Sequence, residues 1–186
     1  MRIISGTARG KQLATFPGTT VRPTPDRVRE ALFSILTSRL GSFASLKVLE
    51  LFAGTGAQSL EALSRGAQSA IMVDSGKIAA EVISENVRRC RFEKTARLVR
   101  MDVYQALPGL VADAPFELIF LDPPYKKNHI PQVVEKIEAL NLLAKNGILC
   151  AEADKSESFE AFAEFSLLGR RIYGSTQIIL YGHQED

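Results

Sequence analysis

Lys47-Val48-Leu49-Glu50-Leu51-Phe52-Ala53-Gly54-Thr55-Gly56 decides the fold. Its first five residues read as a buried strand, the next five as a glycine loop, and the pattern beyond Gly56 is helical. Gly54 and Gly56 let the backbone turn sharply and let a ligand approach the chain without meeting a Cβ. Such a loop closes the first strand of many cofactor-binding α/β sheets. A plain tight turn uses glycine for the same reason, so the loop alone leaves both readings open.

Outward from this stretch, further strand-like runs fall at 69–73, 96–100, 116–121, 147–151, 167–173 and 176–181. Helical patterns near 57–65, 77–90, 131–140 and 157–164 alternate with them. Short apolar strands separated by amphipathic helices predict an α/β fold with a doubly wound, mostly parallel, seven-stranded sheet of Rossmann-like type. Only Gly174 and Ser175 separate the last two runs, too few for a parallel crossover, so the last strand is expected to be antiparallel. On the N-terminal side, residues 1–25 read as a small β-hairpin arm built from Arg2–Ile4 and Lys11–Ala14 around Gly6 and Gly10. Thr24 suits an N-cap and Pro25 the first position of a helix. That helix shows an apolar stripe at Val28, Ala31, Leu32, Ile35 and Leu36, which leaves Arg27 and Arg29 off the stripe and near the arm. The expected organisation is an arm over 1–25 and one catalytic domain over 26–186.

The 186 residues are 46% hydrophobic and 24% charged, which excludes disordered, collagenous and disulfide-scaffold classes. The net charge of +2 hides an asymmetry. Seven basic residues stand before residue 40 against Asp26 and Glu30, and the remainder sums to −3. A basic end on a nearly neutral body suggests a segment that faces a polyanion. Cys90 and Cys150 form neither a disulfide framework nor a metal-ligand spacing, so no metal is expected. No apolar signal region follows Met1 and no apolar run reaches membrane-spanning length, which predicts a cytoplasmic protein without a membrane partner.

Acids mark the ends of successive strands. Glu50 lies in the first, Asp74 follows the second at twenty residues beyond Gly54, and Asp102 follows the third. At that spacing Asp74 can accept hydrogen bonds from ribose hydroxyls, and Asp102 can reach the edge of an adenine ring. Each acid alone is equally a helix N-cap; three of them around one glycine loop favour an adenosine-containing cofactor. A carboxylate at Glu50 repels phosphates and attracts a cation, and Ser59 stands where a dinucleotide fingerprint wants Gly or Ala. Both favour S-adenosylmethionine over a nicotinamide dinucleotide. The candidate cofactor set is Glu50, Phe52, Ala53, Gly54, Gly56, Asp74, Ser75, Asp102 and Val103.

The strand Leu118-Ile119-Phe120-Leu121 ends in Asp122-Pro123-Pro124-Tyr125. Two prolines stiffen the turn and remove two amide donors, leaving carbonyls that only accept. Acceptors beside an aromatic face suit a planar ring bearing an exocyclic amino group. Asp122 and the Pro123 carbonyl would take its two hydrogens while Tyr125 stacks on the ring, which makes Asp122, Pro123, Pro124 and Tyr125 the candidate catalytic residues.

At these residues the chain resembles the RsmD-type 16S rRNA guanine-N2 methyltransferases of the class I S-adenosylmethionine-dependent superfamily. The resemblance runs through Arg2-Ile3-Ile4, Arg9-Gly10-Lys11, Arg22 to Phe33, Leu51 to Gly56, Leu60-Glu61-Ala62-Leu63-Ser64-Arg65-Gly66 and Asp122 to Tyr125. Family members usually carry Asp at Glu50, Ser at Thr55 and Leu-Gly at Gln58-Ser59; these departures keep both loop glycines and the acid. The resemblance implies methylation of one loop guanine of 16S rRNA within an assembling small ribosomal subunit. The arm residues Arg2, Arg9, Lys11, Arg22 and Arg27 are the candidate RNA contacts. The tetrapeptide fits adenine-N6 methylation of RNA or DNA as well, and a non-catalytic nucleic-acid-binding module is the alternative from another class. His129 is expected to be a solvated loop residue and His183 part of an unstructured tail; Glu152 and Asp154 end a strand on the same edge without an assigned role.

Overall fold

The computed structural model describes residues 1–16, 26–124, 128–159 and 162–184. In chain order its elements are α1 (Asp26–Leu40), β1 (Lys47–Leu51), α2 (Ala57–Ser64), β2 (Ser69–Val73), α3 (Lys77–Cys90), β3 (Ala96–Val99), α4 (Val103–Ala106), β4 (Phe116–Leu121), α5 (His129–Ala139), β5 (Leu143–Asp154), β6 (Phe165–Tyr173) and β7 (Thr176–His183). The strands form one sheet in the order β3-β2-β1-β4-β5-β7-β6. The pairs β1–β2, β1–β4, β2–β3 and β4–β5 are parallel, while β7 runs antiparallel to both β5 and β6. The strand order reverses between β1 and β4, so a crevice opens beyond the carboxyl ends of those two strands.

Alternation along the strands feeds two cores. Leu49, Leu51, Ile119 and Leu121 pack under α4 and α5, against Val103, Val133, Val134 and Ile137. Val48, Leu118 and Phe120 face the other way, toward Leu32, Phe33 and Leu36 of α1 and Leu60 and Leu63 of α2. Strands buried on both faces have no polar side to show, which is why they read as continuous apolar runs.

The arm is welded to this second layer. Arg2 and Gln12 form an antiparallel bridge, and the Ile3 amide donates to the Lys11 carbonyl at 3.0 Å, as a hairpin requires. Ile3, Ala8 and Leu13 are buried in the core beside α1 and α2. The Glu61 carboxylate accepts the Ile4 and Ser5 amides at 2.7 and 3.1 Å, and Ser64 Oγ accepts the Ala8 amide at 2.9 Å. Gly6, at φ +82°, lies so close to α2 that a Cβ there would fall 1.7 Å from the Ser64 carbonyl oxygen. Contact on this side explains why α2 is buried nearly all round, polar Ser59, Glu61 and Ser64 included.

The structure corrects several expectations. No helix occurs among the described residues of 157–164. Phe159, Phe162 and Phe165 imitate a helical stripe, but all three pack onto the core from a loop and the start of β6. Gln177, buried in β7, fixes that loop by donating to the Asp154 and Glu157 carbonyls at 2.8 and 2.7 Å. Arg29 lies on the buried stripe of α1 with Leu32, Phe33 and Leu36 rather than off it. Its guanidinium donates to the Arg2 carbonyl and to Asp26, so it anchors the arm from inside. His183 closes β7, with Nε2 3.2 Å from the Leu143 carbonyl, and is no part of a loose tail. The proposed cap at Thr24 and Pro25 falls outside the described residues.

Candidate active site

The glycine loop leaves β1 at the reversal point. Gly54 and Gly56 turn at φ +55° and +73°, and a Cβ on Gly56 would come within 2.7 Å of Met72 Sδ. Phe52 also takes a left-handed φ of +58°, unusual for a bulky residue and found most often where a functional loop imposes it. Ala53 is buried beside Met72 and Ile83.

Glu50 lies beneath this loop, buried, with its two oxygens accepting the Gln58 and Ser59 amides at 3.4 and 2.8 Å. It therefore caps the start of α2 directly, where a negative charge meets the helix dipole. Burial outweighs these bonds and lifts its pKa from 4.5 to about 7. Asp74 straps two loops together: one oxygen accepts the Gly54 amide and the other the Gly76 amide, both at 2.8 Å. Each oxygen keeps acceptor capacity for a further partner. Ser75 beside it is exposed. Asp102 is exposed and caps α4 by accepting the Tyr104 amide at 2.9 Å, while the Val103 side chain turns into the core. The reading of Asp102 as a helix cap is thus correct as geometry.

Across the reversal point, the Asp122 amide donates to the Leu51 carbonyl at 3.4 Å, which sets the start of Asp122-Pro123-Pro124 beside the start of the glycine loop. Asp122 is exposed to solvent. Partial desolvation, followed by the charges of Glu152 and Glu50, pushes its pKa above the ordinary carboxylate range. Pro123 is buried and Pro124 exposed, and Tyr125 lies outside the described residues.

The sequence placed Glu152 on this edge without a role: it is buried near the end of β5 and acts electrostatically on Asp122. Other parts of the edge were missed. His129 opens α5 instead of floating in a loop: its Nδ1 stands 2.8 Å from the Tyr104 hydroxyl and its ring packs against Phe52 at 5.4 Å. Ile78 and Met101 are exposed apolar residues beyond the carboxyl ends of β2 and β3. An apolar side chain just past a strand end and off any core stripe was the available signal. Of the arm residues, Arg9, Lys11 and Arg27 are exposed, Arg2 is exposed but 3.8 Å from Asp26, and Arg22 lies outside the described residues. No group of metal-ligating side chains occurs among the described residues, and no helix among them is long and apolar enough to cross a membrane.

The chain is similar to known proteins over nearly its whole length. The family model described as "Conserved hypothetical protein 95" covers residues 1–182. Protein YlbH of Bacillus subtilis (strain 168) is 33% identical over 183 residues, 97% of this chain and 98% of its own. The chain belongs to the RsmD-type methyltransferase family. Its RsmD relative from Escherichia coli (strain K12), named Ribosomal RNA small subunit methyltransferase D, is 29% identical over 182 residues, 97% of this chain and 89% of that one. The solved structure of a hypothetical protein from Thermus thermophilus superposes with a TM-score of 0.82 at 32% identity, over 97% of this chain and 98% of that one. RsmD membership makes the chain a methyltransferase. Within the Leu60–Gly66 block, Glu61 and Ser64 hold the arm.

Proposed function

We propose that this chain transfers a methyl group from S-adenosylmethionine to the exocyclic N2 amino group of a loop guanine in small-subunit rRNA. The observation that carries the reading is the Asp122-Pro123-Pro124 turn, set beside the glycine loop by the bond between the Asp122 amide and the Leu51 carbonyl.

The residues present fit this cofactor. Glu50, Asp74, Asp102, Asp122 and Glu152 line the carboxyl ends of five strands, an acceptor-rich edge that disfavours phosphates, and a cationic ligand there favours the ionised forms of Glu50 and Asp122, whose pKa values are raised. Asp74 offers acceptors to ribose hydroxyls, and Ile78 and Met101 offer apolar surface to a planar base. When bound, S-adenosylmethionine supplies an electrophilic methyl group. Asp122 and the Pro123 carbonyl accept the two amino hydrogens of the target base, which turns the nitrogen lone pair out of the ring system and toward the attack line. Tyr125 supplies a stacking face. Most of the acceleration then comes from holding both reactants in line. The ionised form of Asp122 is the accepting one, and a cationic cofactor beside it favours that form.

The target base must leave its stack to reach this turn, so the surrounding RNA has to be held. Arg9, Lys11 and Arg27, exposed on the arm and α1, suit phosphate and stacking contacts. Methyl uptake from labelled cofactor tests the substrate class. Small ribosomal subunits or their rRNA should be labelled and duplex DNA should not; labelling of DNA in preference to RNA would overturn the reading.

A further inference from the structure

The apolar stripe of α3 runs Ala79, Val82, Ile83 and Cys90, and one polar residue interrupts it: Asn86, which is completely buried. Its Oδ1 accepts the Ala14 amide at 2.6 Å. Its Nδ2 donates to the Ala14 carbonyl at 3.1 Å and to the Thr55 carbonyl at 3.0 Å. Ala14 belongs to the arm, and Thr55 stands between the two glycines of the loop. Two residues beyond Ala14, the Phe16 ring lies over Gly54, where a Cβ would sit 3.9 Å from its Cε2 and Cζ atoms. One turn along α3, Arg89 donates to the Gln12 carbonyl at 3.3 Å, so the arm is followed by the same helix for several residues.

An amide is the side chain this junction demands. It must accept once and donate twice at the same point. A carboxylate has no donor, a hydroxyl has one, and an apolar residue would leave three backbone groups unpaired in the interior. A residue needed only to fill the core would be apolar. Asn86 instead makes the position of the loop depend on the position of the arm.

We infer that Asn86 is a positioning residue that couples the arm to the glycine loop, so that RNA on the arm and cofactor at the loop bind cooperatively through it. The inference rests on the proposed reading, in which the arm meets RNA and the loop meets the cofactor. Asn86 bonds to both segments, so a ligand that fixes the position of one also fixes the other where the second ligand must meet it. Linkage requires the effect to be equal in both directions.

Binding titrations on the full chain, with S-adenosylhomocysteine and small-subunit rRNA, test it. In the wild type each ligand should tighten the other by the same factor, about fivefold or more. Asn86→Ala should weaken S-adenosylhomocysteine alone by about tenfold, the scale of one unpaired buried polar group, and bring the mutual factor to one. Ala14→Pro removes the amide that Oδ1 accepts, fixes φ at that residue and leaves both Nδ2 bonds in place; it should lower the factor below the wild-type value without abolishing it, and it decides the matter if Asn86→Ala does not fold. Arg88→Ala, on the same helix but paired with Glu85, should keep the wild-type factor. A wild-type factor that persists in folded Asn86→Ala and in Ala14→Pro overturns the inference, as does a wild-type factor of one when both ligands bind. Failure of the wild type to bind either ligand is a different result, because it overturns the functional reading together with the coupling.

Discussion

Asp74 holds Gly54 in place: its carboxylate takes the Gly54 amide on one oxygen and the Gly76 amide on the other, each at 2.8 Å. The side chain proposed to meet the ribose is therefore also the strap that shapes the loop beneath it. Asp74→Ala should lose both roles and weaken S-adenosylhomocysteine binding by roughly 1–3 kcal/mol, as calorimetry would read. Asp74→Asn keeps one acceptor and should fall between. Unchanged affinity in Asp74→Ala would remove Asp74 from the site.

Glu50 makes stability depend on pH. Its folded-state pKa is raised from 4.5 to about 7, chiefly by burial, so the folded protein binds a proton that the unfolded chain releases earlier. The associated stability is complete below pH 4.5 and is lost as pH rises through 7. A shift of that size corresponds to about 3 kcal/mol. Glu50→Gln should flatten thermal stability across this window, and an undiminished slope in the variant would contradict the assignment.

The arm should be separable from the cofactor when only its outer face is changed. Neutralising Arg9 and Lys11 together to Gln should weaken RNA binding and flatten its salt dependence by roughly 0.7–0.9 log units per lost phosphate contact. S-adenosylhomocysteine affinity measured without RNA should not move. An unchanged RNA affinity and salt slope would shift the RNA contact elsewhere.

Asp122 should matter for rate rather than for cofactor binding. Asp122→Ala should abolish turnover while S-adenosylhomocysteine still binds, because the role proposed for the carboxylate is exerted as the amino group leaves planarity. Protein around it and the charges of Glu152 and Glu50 raise its pKa, and the deprotonated form is the acceptor. The acidic limb of the turnover profile should therefore lie above the ordinary carboxylate value of 3.8. Near-normal turnover in the variant would end its proposed role.

Much of this was legible in the sequence because strands buried on both faces announce themselves. β1 and β2 fall on their predicted spans, as does α3, and the two-residue link at Gly174-Ser175 dictated the antiparallel end. Where the sequence misled, tertiary packing supplied the pattern. Phe159, Phe162 and Phe165 repeat every third residue without forming a helix, because a loop fixed by Gln177 delivers them to the core. At the site, the strand-end acids were visible as residue types, but the partners that occupy them were not. Nothing in residue order shows that Glu50 is spent on the Ser59 amide, or that Arg29 turns inward to the Arg2 carbonyl. Asn86, polar on the apolar stripe of α3, was a readable sign of such an internal partner, whereas Arg29 reads as lying off its stripe.

In the proposed reaction the turn at the end of β4 presents the N2 amino group of a guanine to the methyl donor. Its most direct test is the identity of the product nucleoside. Small ribosomal subunits lacking the modification would be incubated with the protein and methyl-labelled S-adenosylmethionine, and the rRNA then digested to nucleosides and separated by mass and retention. Label is expected in N2-methylguanosine at a single loop position, and in none with Asp122→Ala. Label in N6-methyladenosine, or in no nucleoside at all, would contradict it.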